Sequence, residues 1–268
     1  MNRRNIPTVS LVVSTYNRPD ALEACLESVR RQRVLPDEVI VADDGSGPAT
    51  ARLVDRLAAS FPVPLVHVWH EDKGFRLAKI RNRAMAKAKG DYIVQTDGDI
   101  IMHPDFIADH KRFARRGFYV KGVRVKLGED LSRSLCASPD RNPSLFSRGI
   151  EARHKGLRFL PLAAWFARYF KKDKAYGLGC NMAFFRDDLI AVNGYDEAFE
   201  GWGREDDDMA HRLFRSGVRM RDVRFAAICY HLWHKENSRA DMEANVRRCR
   251  QRDEAGIVRS ESGIDRYL

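Results

Sequence analysis

Tyr92-Ile93-Val94-Gln95-Thr96-Asp97-Gly98-Asp99 is a short apolar run that breaks abruptly into two carboxylates around a glycine. Its β-branched and aromatic residues predict a buried strand from Tyr92 to Thr96, with the acidic triplet at the strand's carboxyl end. The same pattern repeats toward the N-terminus. Val9 to Ser14, Glu38 to Ala42 and Leu65 to Trp69 are further apolar strands, and helix-period segments separate them. Pro19 opens the first helix, where a missing N–H costs nothing, and Leu22, Cys25, Leu26 and Val29 share one face. Pro48 opens the second, with Leu53, Val54, Leu57 and Phe61 inward, and a third runs from about Leu77 to Lys89. This alternation predicts an α/β domain built on a Rossmann-like, mostly parallel central sheet flanked by helices.

In open parallel sheets ligands bind beyond the carboxyl ends of the strands. Thr15-Tyr16-Asn17-Arg18, Asp43-Asp44 and Asp97-Gly98-Asp99 all lie there, which predicts one polar crevice. Two carboxylates around a glycine supply hard oxygen ligands for Mg²⁺ or Mn²⁺ bridging to a diphosphate, although an Asx turn would use the same residues. His231, after a late strand, adds a nitrogen ligand that favours Mn²⁺, and His234 competes for that role. Glu205-Asp206-Asp207-Asp208 is the densest acidic run in the chain. A helix N-terminus stabilises such carboxylates, and clustering also tunes one of them toward general-base work.

The second half is less regular. Phe118 to Leu127 and Gly179 to Phe185 are expected strands, and Gly128 to Glu151, rich in Ser, Pro and Arg, an expected loop. Lys155 to Lys174 places Leu157, Phe159, Leu160, Leu162, Trp165, Phe166, Tyr169 and Phe170 between basic ends. That fits either a membrane interface or a helix packed on the core, with Pro161 as an interruption. Asn193-Gly194 is a turn, Glu205 to Ser216 a helix, Val223 to Tyr230 a last strand, and the tail from Ser238 a basic helix. The division expected is 1–127 for a first half that holds the polar crevice, 128–178 for a variable loop and amphipathic segment and 179–268 for a second half with a basic tail, all in one continuous domain.

Composition narrows the class. Hydrophobic residues make up 44% of the 268 positions, enough for a sizeable core, and the net charge of +10 favours an anionic partner. Five dispersed cysteines without a C-x-x-C pair argue against a disulfide framework or a zinc ribbon. With no signal-peptide stretch and no apolar span of about 18 residues, they predict a cytoplasmic protein. The basic residues are not interleaved with aromatics in a nucleic-acid motif, so no nucleic-acid partner is expected.

These motifs together resemble glycosyltransferase family 2, the inverting enzymes of GT-A fold. Val9 to Arg18 looks like the family's opening strand and loop, Val41-Ala42-Asp43-Asp44-Gly45-Ser46 like its second, and Thr96-Asp97-Gly98-Asp99 like its metal-binding triplet. Gly201-Trp202-Gly203-Arg204-Glu205-Asp206-Asp207-Asp208 resembles the Gly-Trp-Gly-x-Glu-Asp-Asp segment of β-1,4-galactosyltransferases, polypeptide N-acetylgalactosaminyltransferases and bacterial chondroitin polymerases. The resemblance runs from about Val9 to His234, broken at Gly128 to Lys174.

It implies a UDP-sugar donor, with Asp44 at uracil or ribose, Thr15, Asn17 and Arg18 lining the nucleotide pocket, and Lys79 and Arg81 facing the nucleotide. Asp97 would lie near ribose and metal, Asp99 and His231 on the Mn²⁺ or Mg²⁺ ion, and Trp202 along the sugar. Asp206 matches the base that takes the acceptor proton, with Glu205 and Asp207 holding hydroxyls. The acceptor implied is a saccharide or glycolipid of bacterial surface polysaccharide or lipopolysaccharide synthesis, reached at the inner face of an anionic membrane. A metal-dependent nucleotidyltransferase shares the paired aspartates but gives little reason for the Gly-Trp-Gly segment, and a catalytically inactive sugar- or nucleic-acid-binding relative would not need every carboxylate.

Overall fold

The computed structural model describes residues 6–168, 175–235 and 240–268. The N-terminal part runs β1 (Val9–Thr15), α1 (Pro19–Arg30), β2 (Glu38–Asp43), α2 (Pro48–Ala58), β3 (Leu65–Trp69), α3 (Leu77–Lys87) and β4 (Tyr92–Asp97). The middle adds β5 (Ile100–Met102), α4 (Phe106–Phe113), β6 (Phe118–Lys121), β7 (Val123–Lys126), α5 (Glu129–Ala137) and α6 (Leu160–Phe166). The remainder is β8 (Met182–Phe185), α7 (Arg186–Ala191), α8 (Glu205–Arg215), β9 (Arg219–Asp222), β10 (Ile228–His231) and α9 (Met242–Glu254).

One seven-stranded sheet has the order β3-β2-β1-β4-β8-β6-β9 and a smaller one the order β5-β10-β7. β3, β2, β1 and β4 are parallel, whereas β8 runs antiparallel to both β4 and β6. β1 and β2 are buried along their whole length, as a sheet covered by helices on both faces requires. Leu22, Cys25, Leu26 and Val29 of α1 pack on one face with Leu53, Val54 and Leu57 of α2, and Phe61 joins them partly buried beyond the helix. Ile80, Ala84 and Met85 of α3 cover the other face with Met209 and Leu213 of α8. The register sets Ser14 level with Asp97 and Thr15 level with Asp43, so the polar clusters emerge side by side.

The second half corrects several expectations. The strand expected from Phe118 to Leu127 is cut at Gly122 into β6 and β7, which join different sheets. Asn181 causes the cut: Gly122 N–H donates to its carbonyl, while its Nδ2 donates to Val123 O at 3.0 Å and Ala227 O at 2.8 Å. The loop expected from Gly128 to Glu151 contains α5, whose Leu135 is buried, and Ile150 bridges back to Leu127. Pro161 starts α6 rather than interrupting it, because a proline in the first turn forfeits no helical bond. Tyr169, Phe170 and Lys174 of that amphipathic segment lie outside the described residues. Val223 to Tyr230 is a turn with positive φ at Phe225 and Ala227, and only then a strand, β10. Residue Ser238 is likewise outside the described residues, and α9 begins at Met242.

Candidate active site

The carboxyl ends of β1 and β2 are tied together. Asn17, at φ 47°, donates its N–H to Ser46 Oγ at 2.8 Å and accepts from Gly47 N–H at 2.9 Å. Thr15 closes β1, and Arg18 Nε pairs with Asp20 at 3.1 Å. Asp44 is buried between His70 Nε2 at 2.6 Å and the N–H of Arg76 at 2.9 Å. Burial pushes its carboxyl up, and those two donors work against the shift. Gly45, at φ 99°, rests on the backbone of Asp72, so a left-handed turn and a close approach both require glycine there. Lys79 is half-buried on α3.

The acidic triplet divides its carboxylates. Gly98 donates its N–H to Ser14 O at 2.6 Å, and a Cβ there would crowd Thr15 Oγ1 at 3.1 Å, which explains the glycine between the acids. Asp99 faces β10: its backbone carbonyl accepts from Leu232 N–H at 2.9 Å, and its carboxylate lies 3.6 Å from His231 Nε2 and 3.4 Å from His234 Nε2. The ligating atoms of these three residues lie within 4.8 Å of one another. Asp99 Oδ1 is buried with no hydrogen-bond partner, and burial holds the His231 imidazole below its usual pKa, leaving a neutral ring with a lone pair to offer. One carboxylate and two imidazoles form a donor set for a divalent first-row transition ion, and Mn²⁺ accepts such nitrogen ligands more readily than Mg²⁺.

Asp97, half-buried, turns toward α3, where its Oδ1 accepts from Arg81 Nη2 at 3.0 Å. Arg81, on α3, is 1% exposed. Its Nη1 also donates to Asp206 Oδ1 at 3.0 Å and Glu205 Oε1 at 3.3 Å, and its Nε to Ser14 Oγ at 3.2 Å. One guanidinium therefore joins the triplet to the head of α8. It is outnumbered by the acids it serves. Burial, reinforced by Asp206, pushes Glu205 up to about 8, and burial with Asp99 and Asp206 outweighs Arg81 to push Asp97 up to about 6.

The acidic run at the start of α8 does several jobs. Asp206 is met from β4 and from Tyr195 as well as from Arg81. Asp207 accepts Gly177 N–H at 2.9 Å and Arg204 Nη1 at 2.8 Å. Asp208 is a buried structural acid, pairing with Arg212 Nε and Arg252 Nε at 2.7 Å each and so fastening α9 to α8. The loop before it places Gly201, Gly203 and Arg204 at φ 72°, 103° and 75°, a tight turn that leaves Trp202 39% exposed. α9 braces that turn: Asn245 Nδ2 donates to Glu200 O at 3.0 Å, and Asp241 and Met242 lie against Gly201 and Gly203.

Sequence reasoning missed His70, Gln95, Tyr195 and the bracing role of α9. Only Tyr195 carried a local signal, since it follows the Asn193-Gly194 turn that points it inward, with both turn residues at positive φ.

The chain is similar to known glycosyltransferases. The pattern of glycosyl transferase family 2 matches residues 10–184, and that of the N-terminal domain of galactosyltransferase matches residues 162–235. Chondroitin synthase of Escherichia coli is 26% identical over 84% of this chain and 35% of its own length. Validoxylamine A glucosyltransferase of Streptomyces hygroscopicus subsp. limoneus is 28% identical over 81% of this chain and 50% of its own. The chain thus spans half or less of these two relatives. Among solved structures, a mannosyltransferase from Pyrobaculum calidifontis in complex with GDP-Man and Mn²⁺ superposes with a TM-score of 0.61, at 23% identity over 88% of this chain and 60% of that one. Staphylococcus aureus TarS superposes with a TM-score of 0.57, at 16% identity over 91% of this chain and 39% of that one. Both likenesses concern the fold, which is GT-A. With the family pattern spanning well over half of its residues, the chain belongs to glycosyl transferase family 2.

Proposed function

We propose that the protein transfers a hexose or N-acetylhexosamine from a UDP-sugar to a saccharide hydroxyl with inversion, using Mn²⁺ or Mg²⁺. The observation that carries this reading is the cluster around Arg81, which ties Asp97, at the triplet where a donor diphosphate would lie, to Asp206, 125 positions beyond Arg81 in the sequence. Donor end and acceptor end are thereby held at one fixed spacing, as a displacement between two bound substrates requires.

In the reaction, the acceptor oxygen attacks the anomeric carbon, Asp206 takes its proton, and the bond to the diphosphate breaks with its electron pair passing to the departing UDP. Asp44, Thr15, Asn17, Arg18 and Lys79 bind the nucleotide, and Trp202 walls the sugar. Glu205 and Asp207 keep the acceptor's hydroxyls in register, and Arg81 holds Asp97 and Asp206 relative to each other. Asp99, His231 and His234 would hold the metal, which supplies positive charge against the diphosphate when bound. A positioned base contributes about 10²–10⁴-fold.

The acceptor is read as a saccharide or glycolipid of bacterial surface polysaccharide synthesis. Among the described residues no helix is long and apolar enough to cross a membrane. Leu157, Phe159 and Trp165 are 50%, 57% and 49% exposed within a basic stretch, which suits peripheral contact with an anionic membrane from the cytoplasmic side. Co-sedimentation with anionic vesicles at low salt tests that contact, and its absence rejects it.

UDP release from a panel of UDP-sugars, with and without Mn²⁺, tests the transfer. Metal-dependent release that is lost in Asp206→Asn is expected. No release from any UDP-sugar with acceptors supplied would overturn the donor assignment.

A further inference from the structure

Asp206 has two carboxylate oxygens in unequal surroundings. Oδ1 accepts from Arg81 Nη1 at 3.0 Å, from the Tyr195 hydroxyl at 2.8 Å and from Gln95 Nε2 at 3.4 Å. Those donors come from α3, from the turn after α7 and from β4, so three separate elements converge on one atom. Oδ2 makes none of these bonds. It lies against Gly179, where a Cβ would overlap it, so only glycine there lets the carboxylate keep this position.

Tyr195 is the least explained of the three donors. Its ring is fully buried in the core beside α3 and α8, yet its hydroxyl serves no backbone group. Asn82 pins its main chain from both sides, accepting from Tyr195 N–H at 2.8 Å and donating to Tyr195 O at 2.8 Å. The hydroxyl also lies 2.7 Å from Gln95 Oε1, and Gln95 is oriented in turn by its Nε2 donating to Gly179 O at 2.9 Å. The single hydroxyl proton therefore has two acceptors within reach.

We infer that Tyr195 is a positioning residue for Asp206, holding Oδ1 so that the proton of the acceptor hydroxyl is taken on Oδ2. While Asp206 is ionised, the charged oxygen draws the Tyr195 proton, since hydrogen bonds to ionised acceptors are the stronger ones. Once Oδ2 carries the acceptor's proton, Gln95 Oε1 becomes the better acceptor and the hydroxyl turns to it. No proton leaves Tyr195 in this exchange: one hydrogen bond is traded for another, and the transferred proton stays on Asp206 until solvent removes it. The inference rests on Asp206 being the base of the proposed transfer.

Tyr195→Phe removes the hydroxyl and keeps the buried ring. The measurement is UDP release at saturating acceptor, alongside the dissociation constant for UDP by calorimetry and the Tm, in the native chain, Tyr195→Phe and Asp206→Asn. The expected result is a fall in kcat of about 10- to 100-fold in Tyr195→Phe, the range for losing a hydrogen bond to a charged group, with UDP affinity unchanged. An unchanged kcat, or a loss shared equally by kcat, UDP affinity and Tm, would overturn the positioning role, because a purely structural tyrosine moves all three together. Asp206→Asn separates the two levels: if it turns over like the native chain, Asp206 is not the base and the underlying reading fails, whereas an inactive Asp206→Asn beside a fully active Tyr195→Phe rejects the inference alone.

Discussion

Asp97 and Asp99 sit two residues apart around one glycine and keep opposite company. Asp97 pairs with a buried guanidinium, in a cluster with Glu205 and Asp206. Asp99 turns to two half-buried imidazoles and leaves a buried oxygen without a partner. The division follows from β4, which ends at Asp97, and β5, which starts at Ile100 and pairs with β10. The first acid belongs to the large sheet and the second to the small one. One carboxylate is matched by a guanidinium of the protein, and the other faces two imidazoles with which it could hold a cation.

The comparison breaks most decisively at Arg81. Arg81→Met keeps the volume but leaves Asp97, Glu205 and Asp206 without their counter-charge, and stripping one partner from a buried ion pair costs about 3–5 kcal/mol. A large fall in the midpoint of urea unfolding is expected, together with loss of UDP release. A variant as stable as the native chain would mean that solvent, not Arg81, satisfies the three acids.

The next effect is at Asp99. Asp99→Ala removes an oxygen that has no internal donor, so the midpoint of metal-free unfolding should hold or rise. Mn²⁺ affinity measured by calorimetry should drop by more than about 100-fold, since even the groups that merely orient metal ligands are worth about 10–100-fold. Unaltered Mn²⁺ binding would move the metal away from the Asp99, His231 and His234 trio. Thus the prediction for Arg81→Met concerns stability first, and that for Asp99→Ala concerns metal alone.

The parts of this architecture visible in the sequence are those with local causes. Pro19 and Pro48 start helices, and β1, β2 and β4 are the mostly apolar runs that burial on both faces demands. The Asp99–histidine grouping was half legible, since Asp99 follows β4 closely and His231 ends β10. The Arg81 cluster was not. In Leu77-Ala78-Lys79-Ile80-Arg81-Asn82-Arg83 the cations alternate as they would on a solvated helix, and nothing nearby shows that Arg81 is buried. Its partners arrive from residues 14, 97, 205 and 206, and a guanidinium can be buried only after they converge. The same holds for Gly122, whose break in the expected strand is set by Asn181.

The smallest expected effect, and the sharpest on the acid cluster, concerns Glu205. Burial among other acids raises its carboxyl from an ordinary 4.5 to about 8, so the folded protein holds a proton that the unfolded chain releases near 4.5. Between those values the folded state binds more protons, and stability falls as pH rises, with the proton-linked contribution complete below about 4.5 and gone above about 8. Glu205→Gln has no proton to lose. Its Tm should therefore vary less between about pH 6 and 9 than that of the native chain, the two curves diverging toward the alkaline end with the variant the more stable. Parallel curves would show that Glu205 is ionised throughout and that Arg81 alone balances all three carboxylates, which would remove the contrast between an acid cluster crowded around one guanidinium and an acid set against two imidazoles.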